Sequence, residues 1–405
     1  MIILKPLFPY IYFLFLLSVI YNFGDAAEDL QSQSKDCTLS AKKSDFKFMP
    51  IPFIPSGSTY QILYPNDKGF INVQQDQKFK LTCVGNNTFD IVAPSDSEIT
   101  VACVSGNELS YRGQNYEYDS FKCENIPKSD LKLTDEKCQT NHSIVTIGFA
   151  TKLRRLNMLK ICFDMETKNS LFASYVTRSP YSIYNFHVKN RPPFANSQIL
   201  YGKVDLNKIY SISEQKNTIT KILGSQSQMT KYLGDNQHVL SRGHFAPKAD
   251  FIYYTEQYAT FYFANVAPQW QVFNGALWSN LEKKTREKLS HDSSKYVIIT
   301  GTYGVCTLED INGVQKPIHL LPPNKITVPL YYWKLVHNLD TESGTVYIGL
   351  NNPYQNITDD LYICPNTCVE GLNKSNDDNN GLMFCCTQEN FEKIYGKIDT
   401  SFYTV

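Results

Sequence analysis

Ser241-Arg242-Gly243-His244-Phe245-Ala246-Pro247-Lys248-Ala249-Asp250 is the stretch on which the reading of the chain turns. Arg242 offers a fixed fork of donors suited to phosphate oxygens. His244 gains and loses a proton near neutral pH without special tuning. Gly243 between them has no side chain, so a bulky ligand group is expected to approach the backbone there. The cluster reads as a phosphate site with a proton acceptor. Taken alone, a His beside a Gly is more often structural than catalytic. What shifts the balance lies downstream.

Asn265-Val266-Ala267-Pro268-Gln269 is followed by Asn274-Gly275-Ala276-Leu277-Trp278-Ser279-Asn280-Leu281-Glu282, then by Arg286. From Asn274 onward Leu277, Leu281 and Leu289 give the apolar stripe of an amphipathic helix. Steps of four put Asn274, Trp278, Glu282 and Arg286 along one slowly drifting stripe, facing a common neighbour. Asn also opens helices well, so Asn274 reads either as a ligand or as a cap.

These residues resemble the DNA/RNA non-specific endonuclease family, whose ββα-metal motif carries a [DS]RGH strand and an Asn on the following helix. Secreted arthropod nucleases and mitochondrial endonuclease G are similar. The likeness runs from about Arg178 to Val346 and includes Val297-Ile298-Ile299-Thr300-Gly301 and Val328-Pro329-Leu330-Tyr331-Tyr332-Trp333-Lys334. It implies an α+β fold: a central antiparallel sheet with flanking helices carrying the ββα-metal motif. It also implies roles. His244 would be the general base, Asn274 the ligand of Mg²⁺ or Mn²⁺, and Glu282 the holder of a metal-bound water. Arg242, Arg178 and Arg286 would share the phosphate charge, with Gln269 among the substrate-binding residues. The implied partner is DNA or RNA, held through phosphates rather than read by base. Ser241 stands where many members have Asp, which keeps hydrogen bonding but loses charge. That keeps open a nucleic-acid-binding protein of nuclease fold with weak cleavage. A disulfide-rich interaction protein on an inactive nuclease fold is the third reading.

Residues 1–26 have the layout of a signal peptide. Lys5 precedes an apolar run from Leu7 to Ile20, and Gly24-Asp25-Ala26 supplies small residues for cleavage. No second apolar span follows, so the mature protein is expected to be soluble and secreted, free of the membrane. The 11 Cys all lie beyond that segment. In an oxidising compartment they read as disulfides with one left over. Cys364, Cys368, Cys385 and Cys386 also permit a zinc reading, although no paired C-x-x-C knuckles appear. Asn86, Asn141, Asn356 and Asn373 open glycosylation sequons, which marks them as surface positions.

The 39 basic and 39 acidic residues balance. Such a field does not attract polyanions, so a nucleic-acid partner needs a local basic surface. Residues 151–156 and 282–288 are candidates, and a solvated helix face is an equal reading of each. Residues 27–140 are expected to form a β-rich, disulfide-stapled N-terminal domain, since Phe79–Val84 and Ile99–Val104 alternate apolar and polar residues. Residues 141–405 are expected to form the endonuclease domain. Within it Ser170–Arg178 reads as a strand ending in a phosphate-binding Arg, and Gln226–Gln237 as a helix. The Asn/Asp-rich stretch 365–380 reads as a loop tethered by the Cys cluster.

Overall fold

The computed structural model describes residues 35–40, 46–56, 59–66, 68–151, 155–178, 191–235, 237–292, 294–368 and 381–400. The expected signal peptide, the side chain of Arg178, residues 152–154 of the first basic candidate, and residues 369–380 of the expected tethered loop, with the sequon Asn373, lie outside them.

Val297-Ile298-Ile299 is a β-branched run, stiff at χ1 and suited to a pleated surface. It sits in the strand Lys295–Tyr303, near the middle of an eight-stranded sheet. From edge to edge the strands are Met383–Thr387, Ser343–Leu350, Tyr331–Asn338, Lys295–Tyr303, Asn169–Arg178, Arg155–Asp164, His142–Ala150 and Asp130–Cys138. Every neighbouring pair is antiparallel. Val297 and Ile299 enter one core with Trp333 and Phe391, while Ile298 enters the other with Tyr175 and Tyr332. Both faces are therefore covered, and the strand reads as a continuous apolar run rather than an alternation.

One face is covered by the helix Gln388–Tyr395, whose Phe391 and Tyr395 rings lie 5.2 and 4.8 Å from that of Trp333. The other face carries the functional region. Asn169–Arg178 and Lys295–Tyr303 are neighbours, with Tyr175 opposite Ile298, although residues 179–294 come between them in the chain. That insertion holds the helices Ile212–Leu223 and Gln226–Tyr232, the hairpin of Leu240–His244 with Val266–Trp270, and a long helix after it. The architecture is mixed α and β, with a large antiparallel sheet and flanking helices.

Towards the N-terminus a six-stranded sheet runs in the order Thr59–Ile62, Ile51–Ser56, Lys78–Thr82, Glu98–Ser105, Glu108–Tyr111 and Gln114–Glu117. Cys37–Cys103 and Cys83–Cys123 staple its core. The fifth Cys before residue 140 does not belong to that core. Cys138 bonds Cys162, because Asp130–Cys138 is the edge strand of the large sheet. That strand lies N-terminal to the boundary expected at residue 140, where alternation is weak because an edge strand is mostly exposed. The two regions touch through Tyr64, whose hydroxyl donates to Glu256 Oε1 at 2.7 Å.

The zinc reading is overturned by pairing: Cys364 bonds Cys386 and Cys368 bonds Cys385. Cys306 is left over and buried. The expected helix at 226–237 stops at Tyr232. Of the family-like block 328–334, only the part from Tyr331 is strand, since Pro329 has no N–H to give a ladder. Arg155 of the first basic candidate is tied to Asp130, and Lys283 of the second lies 3.8 Å from Glu287 on an exposed helix face. Asn86, Asn141 and Asn356 are all exposed. Among the described residues no helix is long and apolar enough to cross a membrane.

Candidate active site

Leu240–His244 pairs antiparallel with Val266–Trp270, setting Ser241 opposite Gln269 and His244 opposite Val266. The long loop between them is closed by Asn265, which is fully buried. Its Oδ1 accepts from Ala246 N at 3.0 Å, and its Nδ2 donates to the carbonyls of Ala246 and Thr260 at 2.9 Å each. At the far end Asn351 Oδ1 accepts from Trp270 N at 2.9 Å, while Asn351 Nδ2 donates to Pro329 O at 2.9 Å. The hairpin is thus fixed at both ends to neighbouring backbone.

Alternation along the strand sends Arg242 and His244 to one face and Gly243 to the other. A Cβ on Gly243 would lie 2.4 Å from Gln269 Oε1 and 2.6 Å from the Tyr332 hydroxyl. Glycine is needed here so that the hairpin can lie on the sheet, not to admit a ligand, which corrects the expectation from sequence. Gln269 is 0 % exposed on that inner face and does not line the cleft described below.

The chain after the hairpin is helical from Gln271, with a π turn over Asn274–Trp278 and α-helix over Ser279–Ser290. Asn274 has helical backbone angles and lies inside the helix, so it is not the cap. The π turn has a packing cause. Phe273 and Trp278 are not neighbours on an α-helix, but i→i+5 geometry brings their rings to 5.7 Å. Both then pack on Tyr332, at 6.3 and 5.4 Å. Gly349 makes room, since a Cβ there would lie 2.5 Å from the Phe273 ring. The stripe expected from steps of four divides accordingly. Asn274 and Glu282 face the cleft, while Trp278 is buried and Arg286 turns to another partner.

That cleft has a volume of about 440 Å³, and its lining includes Arg191, Arg242, His244, Lys248, Asn274 and Glu282. The His244 ring is held between Phe194 at 5.2 Å and Phe261 at 5.4 Å. Its Nε2 has no hydrogen-bond partner among the described residues. Burial is the main cause that pushes its pKa down to about 4, followed by the positive charge of Arg191; Lys248 adds to this, and a backbone contact with Arg242 opposes it. The imidazole is therefore neutral at pH 7 and able to accept a proton. Arg242 lies over the rings of Phe194, Tyr210 and Phe263 at 5.4, 5.2 and 5.4 Å, which hold the planar guanidinium in place.

Ser241 orients Asn274. The Ser241 hydroxyl donates its single proton to Gln269 O at 2.9 Å, so it can only accept from Asn274 Nδ2 at 2.8 Å. The amide nitrogen of Asn274 is thereby committed, and its Oδ1 is directed away from Ser241. A hydroxyl performs this task without a carboxylate's charge. Glu282 is pushed up to about 7, mainly by burial; Lys334 pulls the other way. Lys334 is itself buried, with Nζ donating to Thr300 Oγ1 at 2.6 Å. Arg286 donates to Asp250 Oδ1 at 2.8 Å, and the Tyr175 hydroxyl donates to Asp250 Oδ2. Arg286 is thus internally paired and outside the cleft lining. Arg178 ends its strand opposite Lys295.

Lys248 and Arg191 were missed as site residues, although Lys248 lies within the opening motif. Lys334 was missed as well, since only the sheet brings it beneath the helix. Among the described residues no three His, Cys, Asp or Glu gather as a metal cage. The donors near Asn274 and Glu282 are a neutral amide oxygen and a carboxylate whose ionisation burial opposes. That set fits a hard cation that keeps several waters, as Mg²⁺ does.

The profile of the DNA/RNA non-specific endonucleases matches residues 140–395, more than half of the chain. The chain belongs to this family. A salivary endonuclease of Lutzomyia longipalpis is 25 % identical over 388 residues, covering 93 % of this chain and 87 % of that protein. Salivary protein Tsal1 of Glossina morsitans morsitans is 24 % identical over 393 residues, covering 92 % and 94 %. In the crystal structure of the EndoG/EndoGI complex, a chain of 18 % identity aligns over 61 % of this chain and 86 % of its own length, with a TM-score of 0.37. Within the family's matched region lie the hairpin, the π-turn helix and all the cleft residues named above.

Proposed function

We propose that the chain is a secreted, metal-dependent endonuclease that hydrolyses phosphodiester bonds of DNA or RNA without sequence specificity, its ββα-metal motif formed by the hairpin and the helix that follows. The observation that carries this is His244, whose Nε2 has no hydrogen-bond partner among the described residues, in a cationic cleft that also holds the oriented oxygen of Asn274. The salivary endonuclease of Lutzomyia longipalpis and the disulfides support secretion.

Hydrolysis requires a water to lose a proton as its oxygen bonds to phosphorus and the sugar oxygen departs. His244 takes that proton as general base. Arg242, fixed on its aromatic platform, donates to phosphate oxygens, where rigidity lowers the cost of reorganisation. Asn274 Oδ1 would hold Mg²⁺ or Mn²⁺, and Glu282 would fix one of its waters. A divalent ion held there supplies Lewis-acid stabilisation of the phosphate charge and of the leaving oxygen. Ser241 keeps Asn274 turned to that task. Arg178 remains a proposed phosphate contact. Arg286 acts through Asp250 as support for the helix that carries Glu282, and Gln269 as packing beneath the hairpin.

The test is incubation of the full-length chain with plasmid, single-stranded DNA and duplex RNA, with and without Mg²⁺. Metal-dependent cleavage of at least one polymer at internal positions is expected. Tight binding with no cleavage in any metal would leave a nucleic-acid-binding protein instead.

A further inference from the structure

Two cations in the cleft have no role in the scheme above. Lys248 follows Pro247 at the start of the short turn Lys248–Asp250, on the same chain segment as His244. Arg191 approaches from the coil before Phe194, whose ring packs on His244. Lys248 is partly buried and Arg191 exposed, and both line the cleft beside His244.

Their charges oppose one another. Burial depresses the pKa of Lys248, and the nearby positive charge of Arg191 depresses it further. Both also act on His244. Among the described residues no carboxylate forms an ion pair with either. The contrast is Arg286, whose guanidinium meets Asp250 at 2.8 Å. Residues 179–190, which lead into Arg191, contain no Asp or Glu. Two like charges held together without a counter-charge disfavour each other unless an anion lies between them.

This pair is separate from Arg242. The guanidinium of Arg242 is engaged with Phe194, Tyr210 and Phe263, and its charge neighbour is Tyr210. The cleft therefore has Arg242 as one positive centre and the Arg191–Lys248 pair as another, and His244 adjoins both: it shares the Phe194 ring with Arg242 and feels the charges of the pair. A single phosphate needs one such centre, whereas a strand presents a phosphate at every nucleotide.

We propose that Arg191 and Lys248 form a second anion subsite, which takes a phosphate of the nucleic-acid strand next to the one being cleaved. The inference rests on the nuclease reading and adds a substrate contact to it. Lys248 and Arg191 are binding residues that hold the strand in register beside His244, so that the scissile phosphate falls on Arg242. A mononucleotide cannot occupy both centres with separate phosphates, so the subsite favours internal bonds of a polymer over terminal ones.

The test measures equilibrium binding of a fluorescent single-stranded oligonucleotide to the full-length chain in EDTA across a salt series, with strand integrity checked on a gel. Wild type should show affinity that falls steeply with salt. Lys248→Gln and Arg191→Gln should each flatten the slope of log affinity against log salt by about 0.7, the loss of one phosphate contact to a single strand. Each should weaken binding roughly five- to tenfold at about 50 mM salt, the loss that a slope change of about 0.7 implies. Lys248→Arg should keep the wild-type slope, which separates loss of charge from a packing defect. Unchanged slopes in both Gln variants, with wild type binding normally, would overturn the subsite and leave the nuclease reading standing. Wild type that neither binds nor cleaves any strand would overturn both.

Discussion

Arg286 and Lys248 are both cations within reach of the same helix and hairpin, yet they sit in opposite electrostatic circumstances. Arg286 is matched: Asp250 takes its proton donors, and Tyr175 completes the carboxylate. Lys248 has no carboxylate partner among the described residues, and is partly desolvated and pressed by Arg191. Matched buried charge holds a fold in one arrangement, and its loss is felt as instability. Unmatched charge in a cleft is held ready for something that arrives from outside. Proximity of basic residues in the sequence does not distinguish the two; the presence of a carboxylate in the fold does.

The sharpest way to probe the cleft side is Asn274. Because the helix begins at Gln271, loss of a cap no longer competes as an explanation for its variants. Asn274→Ala is expected to abolish cleavage. Asn274→Asp should keep measurable activity with an altered metal requirement, since an oxygen ligand remains. Asn274→Ser, a poor ligand, should behave like Ala. Wild-type cleavage with unchanged Mg²⁺ dependence in the Ser variant would move the metal elsewhere.

On the matched side, Asp250→Ala leaves Arg286 and Tyr175 without their acceptor. It should cost about 3 kcal/mol of stability, at the lower end for breaking a buried pair, read as a fall in denaturant midpoint with an unchanged m-value. The salt slope of nucleic-acid binding should stay as in wild type. A flattened slope with full stability would mean that Arg286 contacts phosphate and is not held by Asp250 as structural support.

The hairpin's two faces were only partly legible in the sequence. His244, Asn274 and Glu282 stood out because their residue types and order suit the chemistry. Gly243 and Gln269 belong to the same motif, but which face each occupies depends on how the hairpin lies on Tyr332, and no local pattern encodes that. Lys334 comes from a strand far along the chain, and only sheet register carries it beneath Trp278 and Glu282. The sheet was legible where β-branched residues run together, as at Val297–Ile299. It was not legible at Asp130–Cys138, an exposed edge. The π turn was invisible because it arises from two aromatic rings sharing one seat on the sheet.

A smaller effect concerns pH. The His244 imidazole should titrate near 4 in the free protein, well below its ordinary value of 6.5, because burial and two cations oppose the imidazolium. Removing one cation reduces that opposition, so Lys248→Gln should shift the midpoint upward, as read by NMR of the imidazole. For stability the sign follows from the depressed value. The unfolded chain binds this proton first as pH falls, so the contribution of His244 is full above about 6.5 and is lost progressively towards 4. A midpoint near 6.5 that ignores Lys248 would mean that the cations do not act on the ring.

The most direct measurement compares turnover and binding in His244→Ala. A general base acts on the reacting water and not on the affinity of the strand, so the two quantities should separate. Turnover on a fixed DNA substrate should fall by ~100-fold or more, with oligonucleotide affinity and its salt dependence close to wild type. Turnover at the wild-type level in that variant would contradict His244 as the base and would pass that role to another group of the cleft, such as Glu282.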